Sequence, residues 1–334
     1  MRITAEILNK LAKDAVDQRA KADRGILAVY LYGSLHTGDP VLGGTADIDL
    51  FFIHMEEIPV HREIVRISDD VHLDIAHHPR SLYRQAKELR HQPWLGPTVY
   101  GSKALYDPQH FFDFTQAAVR GQFYTPENVV ARANWFKESA RQSWWSLEEG
   151  EHKAEIEKVL IYLKAVNHAA NAVAVLSGTP LPLRRFLLNF PERAAAIGKP
   201  GFYQGLLGLL GDNNIDSESI ASWILEWQKA YKALSGKEIP AKFNPYRLNY
   251  YLRPFQALAE DDSWHNTLLP LFTTWTEIVQ LLQNQETTQV WQKTINYIGL
   301  GSVSFSEKIS ALDKYLDMVE ETLEAWGEKN GISV

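Results

Sequence analysis

The chain has no cysteine among its 334 residues. Without Cys there is no disulfide framework, no thiolate metal site and no Cys nucleophile. The absence is compatible with a reducing compartment without requiring one. Long apolar runs are missing too, so no segment reaches the length of a membrane span. The first residues, Met1-Arg2-Ile3-Thr4-Ala5-Glu6, lack the continuous apolar core of a secretory leader. A cytoplasmic protein with no membrane partner is the expectation. Basic residues are not in excess either. A net charge of -7 gives no general footprint for nucleic acid, although a local basic patch stays open. Neither Gly-x-x-x-x-Gly-Lys nor Gly-x-Gly-x-x-Gly occurs. His54, His61, His72, His77, His78 and His91 crowd the first third in no spacing that matches a zinc ligand set.

What is present points to phosphate chemistry. An apolar run, Ile26 to Leu31, ends in Tyr32-Gly33-Ser34, and Asp47-Ile48-Asp49 opens a second run, Leu50 to Ile53. Side chains alternate across a strand, so Asp47 and Asp49 share one face while Ile48, Leu50 and Phe52 take the other. In Val71-His72-Leu73-Asp74-Ile75 the same alternation puts Asp74 on a polar face. If the strands are neighbours, three carboxylates converge. Bare carboxylates repel, so losing any one charge is expected to relieve the metal-free protein, and a divalent cation removes the repulsion. Gly-rich backbone near paired acids is what phosphoryl and nucleotidyl transfer require.

The set Gly33-Ser34, twelve residues, Asp47-Ile48-Asp49-Leu50, then Asp74 on a later strand resembles the polymerase-beta-type nucleotidyltransferase superfamily. The resemblance covers about the first third of the chain. It implies a nucleoside triphosphate, ATP foremost, with its phosphates over Gly33 and Ser34. It implies two Mg²⁺ ions, or Mn²⁺, held by Asp47, Asp49 and Asp74, and attack of an acceptor hydroxyl with release of pyrophosphate. Leu35-His36-Thr37-Gly38 departs from the family, which often has a basic residue before that Gly; His36 is the substitute on offer.

Two domains are expected, an α/β domain over 1–122 and a helical domain over 123–334 that binds substrate or nucleotide. The fold class is α+β: a nucleotidyltransferase-type mixed sheet with flanking helices, then an all-helical half. Strands are expected near 26–32, 47–54, 62–68 and 71–77, with a final strand and turn over 100–108. Helices are expected over 4–22, 80–90, 109–120, 126–148, 151–176, 216–234, 246–260, 264–284 and 304–326. Nine of the ten Trp lie beyond residue 130, mainly as core packing.

On helix 151–176 a stripe of Glu157, Lys164, His168 and Asn171 lies beside an apolar one. The resemblance implies that Lys or Arg from the helical half meets the triphosphate. Lys164 is the first candidate, Lys158 the second, and Arg184 and Arg185 are further anion ligands, Arg as a fork and Lys as a point charge. The chain is also similar, more loosely, to aminoglycoside-type nucleotidyltransferases, which implies a small cationic acceptor and antibiotic resistance. Glu148, Glu149, Glu151 and Glu155 are candidates to line its pocket, and a helical-domain Glu competes with Asp74 as general base. Two alternatives stand beside this: a toxin-type nucleotidyltransferase acting on RNA or protein, and a catalytically silent nucleotide-binding or antitoxin module. The oligomeric state is not indicated.

Overall fold

The computed structural model describes residues 3–150, 153–211, 215–234, 239–260, 263–301 and 304–332. The chain is α+β, with a five-stranded mixed sheet in its N-terminal part and helices over most of the remainder. Helix α1 (Ala5–Ala22) starts where the Thr4 hydroxyl accepts a hydrogen bond from Ile7 N at 3.3 Å. Its Leu8, Ala12 and Val16 repeat every fourth residue and are buried, so one stripe faces the sheet.

The strands are β1 (Ile26–Tyr32), β2 (Ala46–His54), β3 (Arg62–Arg66), β4 (Val71–Pro79) and β5 (Lys103–Tyr106), in spatial order β3-β4-β2-β1-β5. Only the central pair, β2 with β4, is parallel. The α1 stripe packs with Ile48, Leu50, Phe52, Leu73 and Ile75 in one core. A second core holds Tyr30, Ile53, Tyr83, Phe112 and Phe123. Its centre is aromatic: Tyr30 stacks on Phe51 at 4.8 Å and on Phe112 at 4.5 Å between ring centroids. The helix expected over 80–90 is replaced by two short 3₁₀ turns, Arg80–Tyr83 and Glu88–Arg90. Helices α2 (Ser34–Thr37), α3 (Leu95–Tyr100) and α4 (Phe111–Arg120) complete this part.

The chain divides into two compact units, Met1–Phe123 with Glu238–Pro254, and Tyr124–Lys237 with Phe255–Val334. The return of 238–254 to the first unit departs from the single boundary at 122/123, and specific contacts account for it. Asn249 Nδ2 donates to Asp69 O at 3.3 Å, and Arg253 Nη1 lies 3.0 Å from Asp70 Oδ1. Gly43 has φ +58°, and a β-carbon there would lie 2.6 Å from Pro254 Cα, so that loop abuts the returning backbone.

The second unit contains α5 (Pro126–Glu148), α6 (Glu155–Ala174), α7 (Phe186–Ala196), α8 (Gly201–Leu210), α9 (Ser217–Ala233), α11 (Leu268–Leu282), α12 (Gln285–Tyr297) and α13 (Phe305–Lys329); α10 (Leu248–Glu260) begins in the first unit. Helix α6 is central, with Ala165, Ala169, Ala170 and Ala172 buried and small enough to let neighbouring helices close in. Trp227, Trp275 and Trp291 are core residues. Trp227 and Trp291 each donate a 3.0 Å hydrogen bond to a buried Thr, Thr274 and Thr276. Trp144 donates to Ile309 O at 3.2 Å, whereas Trp145 faces solvent. No helix among the described residues is long and apolar enough to cross a membrane.

Candidate functional site

β2 and β4 run in parallel with Asp49 opposite Asp74 and Asp47 opposite His72. The alternation read from sequence holds: Ile48, Leu50, Leu73 and Ile75 enter the core under α1, leaving the three carboxylates on the other face. Gly33 follows β1, whose last residue, Tyr32, pairs with Asp49. It adopts φ +83° and leaves no room for a β-carbon, which would lie 2.9 Å from Asp49 Cγ. The glycine turn and the acid strand are therefore in contact. Ser34 follows on the first residue of α2, and its hydroxyl makes no hydrogen bond with a described residue. His36 is exposed beside the charges of Lys103 and Arg120; desolvation first, then those charges, lower its pKa.

Two arginines that the sequence reading passed over enter the cluster. Arg62, on β3, forks onto Asp74: Nε donates to Oδ1 at 2.7 Å and Nη2 to Oδ2 at 2.5 Å. Arg247, in a 3₁₀ turn over Pro245–Arg247, bridges instead. Its Nη1 donates to Asp74 Oδ2 at 2.6 Å and its Nη2 to Asp47 Oδ2 at 2.5 Å. The Asn244 side chain caps that turn by accepting from Tyr246 N at 3.0 Å. Tyr250 lies with its ring centroid 4.3 Å from Arg247 Cζ, and Tyr251 at 5.8 Å.

These contacts separate the three acids. Burial pushes the Asp74 carboxyl up, but hydrogen bonds and charge from Arg62 and Arg247 more than offset that and hold it below the usual carboxylate range. Asp49 receives no hydrogen bond from a described residue. Burial, then the charges of Asp74 and Asp47, push its pKa up to about 7. Asp47 is buried, and its Oδ1 has no hydrogen-bond partner; the Nδ1 of the fully buried His72 lies 3.6 Å away. The expectation that losing any one charge relieves repulsion therefore does not extend to Asp74, which is the anchor for two guanidiniums.

The donor set suits a hard divalent cation: three carboxylates, no soft ligand, one orphaned buried oxygen and one carboxylate with like-charged neighbours. As the side chains stand, no group of three or more His, Asp or Glu among the described residues is arranged around a shared ion position. Arg247 takes up one oxygen of Asp47 and one of Asp74.

No family model matches this chain, and no curated protein matches it.

The remaining candidates belong to the second unit. Lys164 is exposed on α6; Lys158, Arg184 and Arg185 are partly exposed. The stripe that grouped Lys164 with His168 and Asn171 does not form one polar surface. Asn171 is fully buried, and its Oδ1 accepts from Leu181 N at 2.8 Å, tying the chain after α6 back onto the helix. His168 lies against Trp135 and Phe136, with ring centroids 5.5 and 5.7 Å away. Glu148 and Glu149 are exposed at the end of α5, Glu155 accepts from Gln292 Nε2 at 2.6 Å, and Glu151 lies outside the described residues.

Proposed function

We propose that the chain is a divalent-cation-dependent nucleotidyltransferase that moves a nucleoside monophosphate from a nucleoside triphosphate to an acceptor hydroxyl. The observation that carries the reading is the contact of the Gly33 turn with Asp49, which is itself opposite Asp74 on the parallel neighbour. Mg²⁺ or Mn²⁺ held by Asp47, Asp49 and Asp74 would neutralise phosphate charge and polarise the P–O bond. The chain's own groups do the rest. Gly33 lets the turn close onto Asp49, and the free Ser34 hydroxyl offers a donor to a phosphate oxygen. Asp49 receives no hydrogen bond from a described residue and is open to take the hydroxyl proton, whereas Asp74 carries the fork of Arg62. The bond formed joins the acceptor oxygen to the α-phosphorus, and the bond broken releases pyrophosphate.

A small cationic acceptor of the aminoglycoside class fits the acidic chain best, with RNA and protein as competing acceptors. Lys164, Lys158, Arg184 and Arg185 are proposed as further anion ligands. Incubation with each labelled nucleoside triphosphate and Mg²⁺, with pyrophosphate release measured against aminoglycosides, tRNA and bulk protein, tests the reading. Release with one class of acceptor supports it.

One observation favours a second reading, a catalytically silent module. Arg62 and Arg247 already give the acids a cationic partner without metal. Triphosphate binding that ignores Mg²⁺, with no pyrophosphate released, identifies that case.

A further inference from the structure

Two arginines meet Asp74, and they grip it differently. Arg62 is half exposed and forms a planar fork on one carboxylate. Arg247 is almost fully buried and splits its two Nη groups between different carboxylates, 2.5 Å from Asp47 Oδ2 and 2.6 Å from Asp74 Oδ2. Its Nε is left without a hydrogen bond. A fork optimised for a carboxylate uses Nε or both Nη groups on one acceptor. Arg247 instead bridges two acids, as a small bridging cation does. The cluster beneath it is incompletely satisfied. Asp47 is 4% exposed, yet its Oδ1 has no hydrogen-bond partner, and neither ring nitrogen of the fully buried His72 has one. Buried polar atoms are ordinarily paired, so the orphaned Asp47 oxygen marks a place where a further positive or donor group belongs.

A divalent ion ligated by the Asp47 and Asp74 oxygens would lie within a few ångström of the guanidinium that now holds them. Like charges at that separation in a buried site exclude each other. The two cations are alternatives.

We infer that Arg247 is the resting counter-ion of the acid cluster and, once a divalent cation displaces it, a ligand for the phosphates of the nucleotide. This rests on the nucleotidyltransferase reading and adds to it a residue that neither the glycine turn nor the acid strand announces. The chemistry of the exchange is balanced in charge. The incoming cation takes the carboxylates, and the released guanidinium meets the phosphate that arrives with the cation, as a fork suited to phosphate oxygens. The placement permits it. Arg247 sits on a capped 3₁₀ turn with the Tyr250 ring 4.3 Å from its Cζ, an apolar surface along which a guanidinium can slide without losing contact. Nucleotide and metal would then bind cooperatively: either alone leaves one charge set unmatched.

The test is Mn²⁺ binding to the full chain by calorimetry, without nucleotide, in the wild type, Arg247→Gln and Arg62→Gln. Arg247→Gln should bind Mn²⁺ at least tenfold more tightly than the wild type, and Arg62→Gln should gain clearly less. With Mn²⁺ present, Arg247→Gln should bind α,β-methylene-ATP at least fivefold more weakly than the wild type, with adenosine affinity unchanged. Arg247→Gln leaves buried carboxylates exposed to one another at a cost in stability, so the wild type supplies a second readout: Mn²⁺ should accelerate amide hydrogen exchange across 244–251. Equal Mn²⁺ affinity in all three proteins, an equal gain in Arg62→Gln, or unchanged exchange at 244–251 in the Mn²⁺-loaded wild type overturns the inference and leaves the metal-dependent reading standing. No Mn²⁺ binding by any of the three overturns both.

Discussion

A β-carbon at position 33 would lie 2.9 Å from Asp49 Cγ, so the turn that ends β1 and the acid strand β2 fit together only through a glycine. Gly33→Ala meets two penalties, a positive φ of +83° and the Asp49 carboxylate. A loss of about 1–3 kcal/mol in stability is expected, with a larger loss of turnover because Asp49 must move. Ser34→Ala touches no existing hydrogen bond. It should leave stability unchanged and weaken triphosphate binding by about 1–2 kcal/mol. Denaturant unfolding read beside nucleotide titration separates the two; equal nucleotide affinity in both variants and the wild type removes the turn from the site.

Asp49 and Asp74 are opposite each other on parallel strands but should respond oppositely to neutralisation. Asp49 has two like-charged neighbours and no donor. Asp49→Asn should keep or slightly raise the stability of the metal-free protein. Asp74 is clasped by Arg62 and Arg247, and Asp74→Asn removes the anion that both meet, leaving the buried Arg247 with Asp47 alone, at a cost of about 1–3 kcal/mol. Both variants should lose turnover. Thermal unfolding in chelator, followed by an activity assay of the folded fraction, checks the pair. Equal destabilisation of both variants would sink the distinction.

The strand pattern was legible because period-2 alternation is a local property. Ile48, Leu50, Leu73 and Ile75 had to share a face, which placed Asp47, Asp49 and Asp74 on the other. The arginines were less accessible. Arg62 left a faint signal, lying two residues before Ile64, which is opposite Asp74. Arg247 left none: it fell at the start of the expected helix 246–260, and it reaches Asp47 across 200 residues of sequence. Helix α7 was hidden by Pro191 within it and α8 by Gly201, Gly205 and Gly208, which weaken helix propensity. Gly205 has a packing reason: a β-carbon there would stand 3.2 Å from Tyr315 Cε2. The expected helix 264–284 ran up to Asn284, whose side chain caps the start of α12 by accepting from Glu286 N at 2.9 Å; that cap was readable.

Asn171 looked like part of a polar helix face and is instead a structural tie. Its Oδ1 accepts from Leu181 N at 2.8 Å, and the residue is fully buried. Asn171→Ala leaves that buried amide unpaired and should cost about 1–3 kcal/mol. The affinity of the folded protein for nucleoside triphosphate should not change. Lys164→Ala, on an exposed position of the same helix, should show the reverse pattern: unaltered stability and weaker triphosphate binding. Denaturant midpoints and nucleotide titrations on the two variants decide between a tie and a ligand at each position.

His168 gives the second unit a pH dependence of its own. Burial against Trp135 and Phe136, and next the Lys164 charge, push its pKa down to about 4. The folded unit keeps His168 neutral at pH values where the unfolded chain, with an ordinary His near 6.5, takes up a proton. Between about pH 6.5 and 4 the unfolded state therefore binds more protons, and stability falls as pH falls. The contribution is complete above pH 6.5, shrinks through that window, and levels off near 4. Its full span is on the order of 2–3 kcal/mol. Nine of the ten tryptophans lie in the second unit, so Trp fluorescence during denaturant unfolding reports mainly on it. The difference in unfolding free energy between the wild type and His168→Gln should be constant above pH 7 and should shift in favour of His168→Gln as pH drops to 4. A difference that stays flat across the window would show that His168 takes up its proton in the folded unit as readily as in the unfolded chain.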